Sequence, residues 1–420
     1  MYIEPSQISG RLTPPPSKSH TQRALLFAMR GIGKSVIRGV LDSPDVEAMI
    51  GAISSLGASV SRVGDTIEIL GGFSPSTTKI DAGNSGQVLR FIGSLAALFP
   101  TTTIITGDSS IQSRRPMEPL LSALRELGAR AEKHPEGGYQ ITGPISAGTC
   151  HLSGEDSQPV SALLMATAFL QGPTEIIVDS PGELPWIDLT LDWLKRRGSR
   201  ISHEHYSHYR VEGNLAYPGF TYTVPGDYSS AAYSIVGALI THCPLLIEGL
   251  QQGDVQGDRA IIGILQEMGA VLNWTKEGLS IVPSDKLRGM AIDVNKVIDA
   301  LPILAVLGCY AKGKTTLYNG AIARKKESDR ISAIAGELKK MGANITETPD
   351  GLVIEESSLR GGTLKSYDDH RIALSLAIAA LGANGPTTIE GSDCIAKSYP
   401  TFVEDLTKLG GVIERYPVRV

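Results

Sequence analysis

The sequence predicts a two-domain protein of the α/β (α+β) class, built from six β-α-β-α-β-β repeats, three per domain, with buried helices surrounded by sheets. Three observations carry that expectation. Six times an amphipathic stretch ends in a bulky residue, a glycine and a small residue: Leu56-Gly57-Ala58, Leu127-Gly128-Ala129, Arg197-Gly198-Ser199, Met268-Gly269-Ala270, Met341-Gly342-Ala343 and Leu409-Gly410-Gly411. These glycines recur at intervals of 71, 70, 71, 73 and 68 residues. A glycine just past a helical pattern is the usual left-handed cap, because it has no Cβ to clash there. Each interval also holds the same succession of periodicities, so the repeating unit is a small α/β subdomain rather than a short solenoid turn. Within each unit the first helix is much more apolar than the second, which marks it as buried.

Taken in order, residues 1–12 are strand-like and fall outside the first repeat. Pro14-Pro15-Pro16 then reads as a stiff crossover, so the first strand is expected to join the C-terminal half. The first repeat closes on a hairpin turn near Gly64-Asp65. In the second, 85–98 reads as a helix, 101–105 as a Thr- and Ile-rich strand, 117–127 as an amphipathic helix, and 130–142 as a hairpin around Gly137-Gly138. The third has an apolar helix over 158–170 and a turn at Ser207, and the fourth an apolar helix over 230–240 and a turn at Lys276-Glu277-Gly278. The fifth repeats the pattern as 300–310, 314–318, 329–341 and 344–355, turning at Asp350-Gly351, and the sixth opens with the apolar stretch 371–381. Three units per domain give two domains of ordinary size, residues 14–225 and residues 1–13 with 226–420.

Composition narrows the function. A content of 42% hydrophobic and 20% charged residues is that of an ordinary globular protein. The apolar runs 161–170 and 300–311 are shorter than the roughly 18–20 residues a membrane span needs, and the N-terminus lacks a basic region followed by an apolar core. The four cysteines (Cys150, Cys243, Cys309 and Cys394) are scattered, which fits a reducing cytoplasm without structural zinc. A net charge of −5 argues against nucleic acid as the main partner but leaves room for a local cationic cleft.

The loops that open the first helices carry the unusual residues. They read Pro16-Ser17-Lys18-Ser19-His20, Gly83-Asn84-Ser85-Gly86-Gln87, Asp156-Ser157-Gln158, Gly226-Asp227-Tyr228-Ser229-Ser230, Asp299, and Asp368-Asp369-His370-Arg371. Ser, Asn and Asp there serve as ordinary N-caps. Lys18, Arg23, Arg90 and Arg371 need more, because a cation at the positive end of a helix is unfavourable unless an anion lies between them. Arg114-Arg115-Pro116-Met117, the run Arg324-Lys325-Lys326-Glu327-Ser328-Asp329-Arg330, and Lys397 precede second helices. Loops so placed are expected to face a cleft between the domains that closes on a highly anionic small substrate. Gly33-Lys34-Ser35 lacks the upstream glycine of a phosphate-binding P-loop, since Ala28 stands there. His203 and His205 are expected on one strand face without a carboxylate, so a metal site with His208 is disfavoured.

At these loops the chain resembles the enolpyruvyl transferase family, and within it the 5-enolpyruvylshikimate-3-phosphate synthases (3-phosphoshikimate 1-carboxyvinyltransferases). The motifs are Pro-Ser-Lys-Ser-His at 16–20 with Arg23, Gly-Asn-Ser-Gly at 83–86 with Arg90, Arg115-Pro116-Met117 and Ser157-Gln158. They continue through Gly226-Asp227, Ser229-Ser230, Asp299, Lys326-Glu327-Ser328-Asp329-Arg330, Asp369-His370-Arg371 and Ala396-Lys397. The resemblance implies an inside-out α/β barrel in each domain and an active site in the interdomain cleft. It implies transfer of the enolpyruvyl group of phosphoenolpyruvate to the 5-hydroxyl of shikimate 3-phosphate, without cofactor or metal, in a cytoplasmic monomer of aromatic amino acid biosynthesis. By that likeness Lys18, Asn84, Gly86, Arg115, Gln158, Arg330, Arg371 and Lys397 would hold phosphoenolpyruvate. Lys18, Ser19, Arg23, Ser157, Gln158, Asp299 and Lys326 would hold shikimate 3-phosphate, mainly on the N-terminal domain. Asp299, Glu327 and Lys18 would move protons. The chemistry agrees, since two phosphates and two carboxylates call for several Arg and Lys.

The chain departs from the family pattern in one subsite. Asp156-Ser157-Gln158 stands for a Ser-Ser-Gln run, Glu183-Leu184-Pro185-Trp186 for Ser-x-Pro-Tyr, and Gln87 for Thr. A carboxylate 4 Å from a phosphate is repulsive by ~1 kcal/mol even in water. Asp156 and Glu183 are therefore expected to face solvent or pair with Arg and Lys; otherwise Ser157, Arg23 and Lys326 hold the phosphate, or the acceptor differs. Two rivals stay open: an enolpyruvyl transferase with another hydroxyl acceptor, such as a UDP-N-acetylglucosamine, and a non-catalytic anion-binding relative. Ser109–Pro119 lacks the cysteine expected of the first.

Overall fold

The computed structural model describes residues 1–72 and 78–415. The chain divides into two compact units, one of Pro16–Val224 with Val255–Gly257, the other of Met1–Pro15, Pro225–Asp254 and Asp258–Val420. The excursion Val255–Gly257 has no sequence signal. Its fit is steric: a Cβ on Gly257 would lie 2.9 Å from the Trp186 ring, so only glycine lets the segment approach that side chain.

The described residues form six four-stranded sheets, all of one topology. The third repeat shows it whole. Thr149–Ser153 runs parallel to Thr174–Asp179 with Cys150 opposite Ile176, the helix Ser157–Thr167 connects them, and the helix Leu184–Arg196 leads to the hairpin Ile201–Glu204/His208–Val211. A parallel pair requires such a crossover, whereas the antiparallel pair needs only a tight turn. The second and fifth repeats are likewise contiguous. The other three correct the expectation of six self-contained units. Lys34–Arg38 takes its parallel neighbour from Thr221–Thr223, and Leu245–Ile247 takes its own from Gly10–Leu12. In the last sheet Tyr2–Glu4 lies between Thr387–Glu390 and Val412–Glu414, where the other repeats place a hairpin strand.

The six repeat-closing glycines have φ values between +84° and +108°, the region a Cβ disfavours. The first helices are core elements: every residue of Tyr228–Ile240 and of His370–Leu381 is buried. The second helices are amphipathic, as in Arg330–Lys340, where Lys339 and Lys340 are exposed in the last turn. Two local expectations need correcting. The 85–98 stretch is wound as a π-helix over Val88–Ile92 before an α-helical turn at Gly93–Ala96. The strand carrying His203 ends at Glu204, so His205 sits in the turn at φ 48°, and His208 does have a carboxylate partner, Glu175 at 2.7 Å. Among the described residues no helix is long and apolar enough to cross a membrane.

Candidate active site

In the unit that contains Pro225–Asp254 and Asp258–Val420, the helix N-termini bring together a dense set of charges. Asp369 caps His370–Leu381 by accepting from the Arg371 amide at 2.9 Å, and its other carboxylate oxygen accepts from Arg330 Nε at 2.9 Å and Ser328 Oγ at 3.0 Å. Arg330 opens Arg330–Lys340 and spreads its planar fork over three carboxylates. NH1 donates to Asp299 Oδ1 at 2.7 Å and NH2 to Glu327 Oε2 at 2.8 Å, while Nε serves Asp369. Arg371 NH2 holds the other oxygen of Asp299 at 3.1 Å, and Lys397 Nζ the other oxygen of Glu327 at 2.8 Å. Asp299 is therefore the anion that lies against the cation at the N-terminus of His370–Leu381. Nε and NH1 of Arg371 are buried and meet no acceptor at bonding distance, so the guanidinium keeps donors for a further anion.

The backbone places Asp299 in a 3₁₀ turn, Val294–Ala300, kinked at Val297 just before Leu301–Tyr310. Its side chain is 26% exposed, which leaves one edge open. Burial raises its pKa, but Arg371, Arg330 and Lys326 outweigh that and hold the carboxyl well below the usual carboxylate range. Behind this group, Asp258 is fully buried and bonded to Ser229 Oγ. Burial first, then the negative charge of Asp299, push Asp258 up to about 7, against the pull of Arg371.

The unit of Pro16–Val224 gathers a second set. Two guanidinium groups converge on Gly86: a Cβ there would lie 2.4 Å from Arg115 NH1, 2.9 Å from Arg90 NH1 and 3.1 Å from Gln158 Oε1. Glycine there lets the two arginine tips close in, which a Cβ would push aside. Asn84 accepts from Arg115 NH2 through its carbonyl at 3.1 Å and its side-chain oxygen at 3.0 Å. Arg90 donates to Gln158 Oε1 at 2.8 Å and pairs with Asp156 at 3.1 Å. Lys18, at the start of Lys18–Arg30, pairs with Asp45 at 3.1 Å, and Ser19 Oγ accepts from Gln87 at 3.3 Å. Arg23 is 2% exposed and donates to the Thr190 hydroxyl and the Ser19 and Trp186 carbonyls. No carboxylate of the described residues pairs with Arg23, and burial pushes its pKa down to about 9.

Asp299, Glu327, Arg330, Arg371 and Lys397 thus meet in one unit, where Lys326 acts on Asp299 through its charge. Asn84, Gly86, Arg115 and Gln158 meet in the other. Asp156 pairs with Arg90 and caps Ser157–Thr167 through Gln158, in keeping with the expected basic partner. Glu183 does not face solvent. It is 1% exposed, and one of its carboxylate oxygens accepts from the Ser157 amide at 2.9 Å and hydroxyl at 2.8 Å. Sequence reasoning missed Asp45, Asp258 and the pairing role of Asp369. Asp45 and Asp369 look like acids near a helix start, and their partners lie 27 and 39 residues away.

The profile of the EPSP synthase family, 3-phosphoshikimate 1-carboxyvinyltransferase, matches residues 3–406. A 3-phosphoshikimate 1-carboxyvinyltransferase of Chlamydia caviae is 43% identical over 99% of this chain and 94% of its own length. That of Chlamydia trachomatis serovar D is 41% identical over 99% and 96%. The solved EPSP synthase of Acinetobacter baumannii superposes with a TM-score of 0.82 at 31% identity, covering 97% of this chain and 98% of that one.

The Asp258 carboxyl gives a pH signature. Its pKa is raised on folding, so the stabilisation it gives is complete below about pH 4 and is lost as pH rises towards 7. Asp258→Asn keeps an acceptor for Ser229 and does not titrate. Its stability relative to wild type should rise between pH 4 and 7, by up to ~4 kcal/mol, in denaturant unfolding. A difference that stays flat over that window would show that Asp258 does not titrate there.

Proposed function

The chain belongs to the EPSP synthase family, the 3-phosphoshikimate 1-carboxyvinyltransferases, and from that premise we propose which of its residues carry the transfer of the enolpyruvyl group. The substrates are phosphoenolpyruvate and shikimate 3-phosphate, and the products are 5-enolpyruvylshikimate 3-phosphate and phosphate. The single observation that carries the assignment is the Asp299 carboxylate held between Arg330 and Arg371, with two further Arg371 donors unused. Phosphoenolpyruvate is anionic at both its carboxylate and its phosphate. Arg330, Arg371 and Lys397, together with Arg115, Gln158, Asn84, Gly86 and Lys18, are the groups proposed to receive them. Ser19, Arg23, Ser157, Gln158 and Lys326, with Lys18 and Asp299, are proposed for shikimate 3-phosphate. Both sets serve one pair of substrates, so a single chain is sufficient and a monomer is the simplest working form. Four unpaired cysteines support a cytoplasmic setting.

The electrostatics suggest how the base is switched on. While the site is empty, Arg330 and Arg371 keep the proton affinity of Asp299 low. Phosphoenolpyruvate neutralises those cations as it binds, so the affinity of Asp299 for a proton rises only when its reaction partner is in place. Asp299 then takes the proton of the 5-hydroxyl as that oxygen attacks C2 of phosphoenolpyruvate, and C3 gains a proton, for which Glu327 and Lys18 are the proposed carriers. Loss of a C3 proton from the tetrahedral adduct and departure of phosphate restore the enol ether. The nearby carboxylates stabilise the positive charge that develops at C2.

Phosphate release from phosphoenolpyruvate should depend on shikimate 3-phosphate and be absent with shikimate or UDP-N-acetylglucosamine. Release with either of those alone would move the acceptor assignment, and no release with any would leave an anion-binding protein. Asp299→Asn should lower kcat at least ~100-fold, the usual scale for losing an acid–base group, with substrate affinity retained. A kcat near wild type would remove Asp299 from the proton transfers.

A further inference from the structure

The Glu183 contact has a consequence for how the acceptor binds, resting on the reading above that Ser157 and Arg23 receive its phosphate. The Ser157 amide and hydroxyl stand at the N-terminus of the eleven-residue helix Ser157–Thr167, where donors and helix dipole favour an anion. That position holds an anion already: Glu183 Oε2, buried with Ser157 at 1% and 3% exposure. Arg23, joined to the same two helices, has no such partner. Its fork donates to Thr190 Oγ1 at 3.0 and 2.8 Å; Thr190 lies on Leu184–Arg196, the helix that Glu183 begins, and bonds Ser161 on Ser157–Thr167 at 3.0 Å. One subsite therefore holds a carboxylate on its donors and a guanidinium without a carboxylate.

The backbone marks the carboxylate as held under tension. Glu183 has φ 49° and ψ 38°, and Ser180 has φ 51°, both left-handed conformations that a residue with a Cβ disfavours. The turn between them is tied back by the Gly182 amide to the Gly154 carbonyl at 2.9 Å and by the two Ser157 bonds. We propose that Glu183 sets the affinity of the acceptor subsite by standing in for the acceptor's phosphate: it fills the Ser157 donors while the subsite is empty, and a phosphate must displace it to bind there. Phosphate, with a second negative charge and three acceptor oxygens, can engage Ser157 and Arg23 together, whereas an uncharged hydroxyl cannot displace the carboxylate. The device thus lowers the apparent affinity for a phosphorylated acceptor by the free energy of displacing Glu183, a cost that an acceptor leaving Glu183 in place does not meet.

Calorimetric titration of shikimate 3-phosphate into wild type, Glu183→Ser, Glu183→Gln and Asp156→Asn tests this. Gln retains an acceptor for both Ser157 groups without the charge, so it reports on charge even if Ser destabilises the turn. Both Glu183 variants should bind at least fivefold more tightly than wild type, with Asp156→Asn unchanged or weaker, and the preference for shikimate 3-phosphate over shikimate should grow. Flat or weaker binding in both Glu183 variants at an unchanged unfolding midpoint would overturn the proposal. If neither wild type nor variants bind shikimate 3-phosphate, while enolpyruvyl transfer to another hydroxyl proceeds, the acceptor reading itself falls and the proposal with it.

Discussion

A buried guanidinium bound by three carboxylates organises one half of this protein. Arg330 is 1% exposed, a position that would cost several kcal/mol for an unpaired charge. Asp299, Glu327 and Asp369 offset that cost with charge-assisted bonds of 2.7 to 2.9 Å, directed by the planar fork in a way an ammonium could not reproduce. The rest follows from this contact. Asp299 bridges Arg330 to Arg371, Glu327 bridges it to Lys397, and Asp369 ties it to the start of His370–Leu381. Three cations face three carboxylates, so the cluster can be held together while it is empty. The charges offered to a substrate come from displaced or shared contacts and from the unused donors of Arg371.

Capping and chemistry are performed by the same side chains. Asp369 and Asp156 each give one oxygen to a helix N-terminus and the other to an arginine. The cap fixes the carboxylate and the carboxylate aims the arginine, so the position of each cation is inherited from the start of a core helix. Those helices are buried, His370–Leu381 along its entire length and Ser157–Thr167 at every residue but Gln158, which makes them rigid supports. Arg23 and Gly86 extend the logic to the other unit, where a guanidinium is braced by neutral groups and two others pack on a residue without a side chain.

The repeat was legible because a helix followed by a left-handed glycine leaves a local mark, and all six marks lie at positive φ. The cations were legible too, since Lys18 and Arg371 stand at helix starts where an uncompensated positive charge is anomalous and Arg330 closes a conspicuous basic run. Their carboxylate partners were not. Asp45 and Asp258 have ordinary local contexts and acquire meaning only from groups brought near by the fold. The strand Thr221–Thr223 escaped for the same reason, for it joins a sheet begun almost two hundred residues earlier, whereas the Pro14-Pro15-Pro16 crossover did announce that Tyr2–Glu4 belongs with the C-terminal half. Periodicity reports which face of an element is buried, not which distant element covers it. Glu183 was visible as a departure, but its place on Ser157 depends on a turn with two left-handed residues that no pattern announces.

Arg330→Lys keeps the charge of the central cation and removes its fork. Steady-state kinetics with varied phosphoenolpyruvate at saturating shikimate 3-phosphate, paired with thermal unfolding, would measure both roles of the residue. A kcat/KM at least ~100-fold below wild type and a lower unfolding midpoint are expected, because one ammonium cannot satisfy three carboxylates and hold Asp299 in place. A kcat/KM within about threefold of wild type would mean that positive charge alone suffices, and that the three-carboxylate geometry around Arg330 is not what prepares the site.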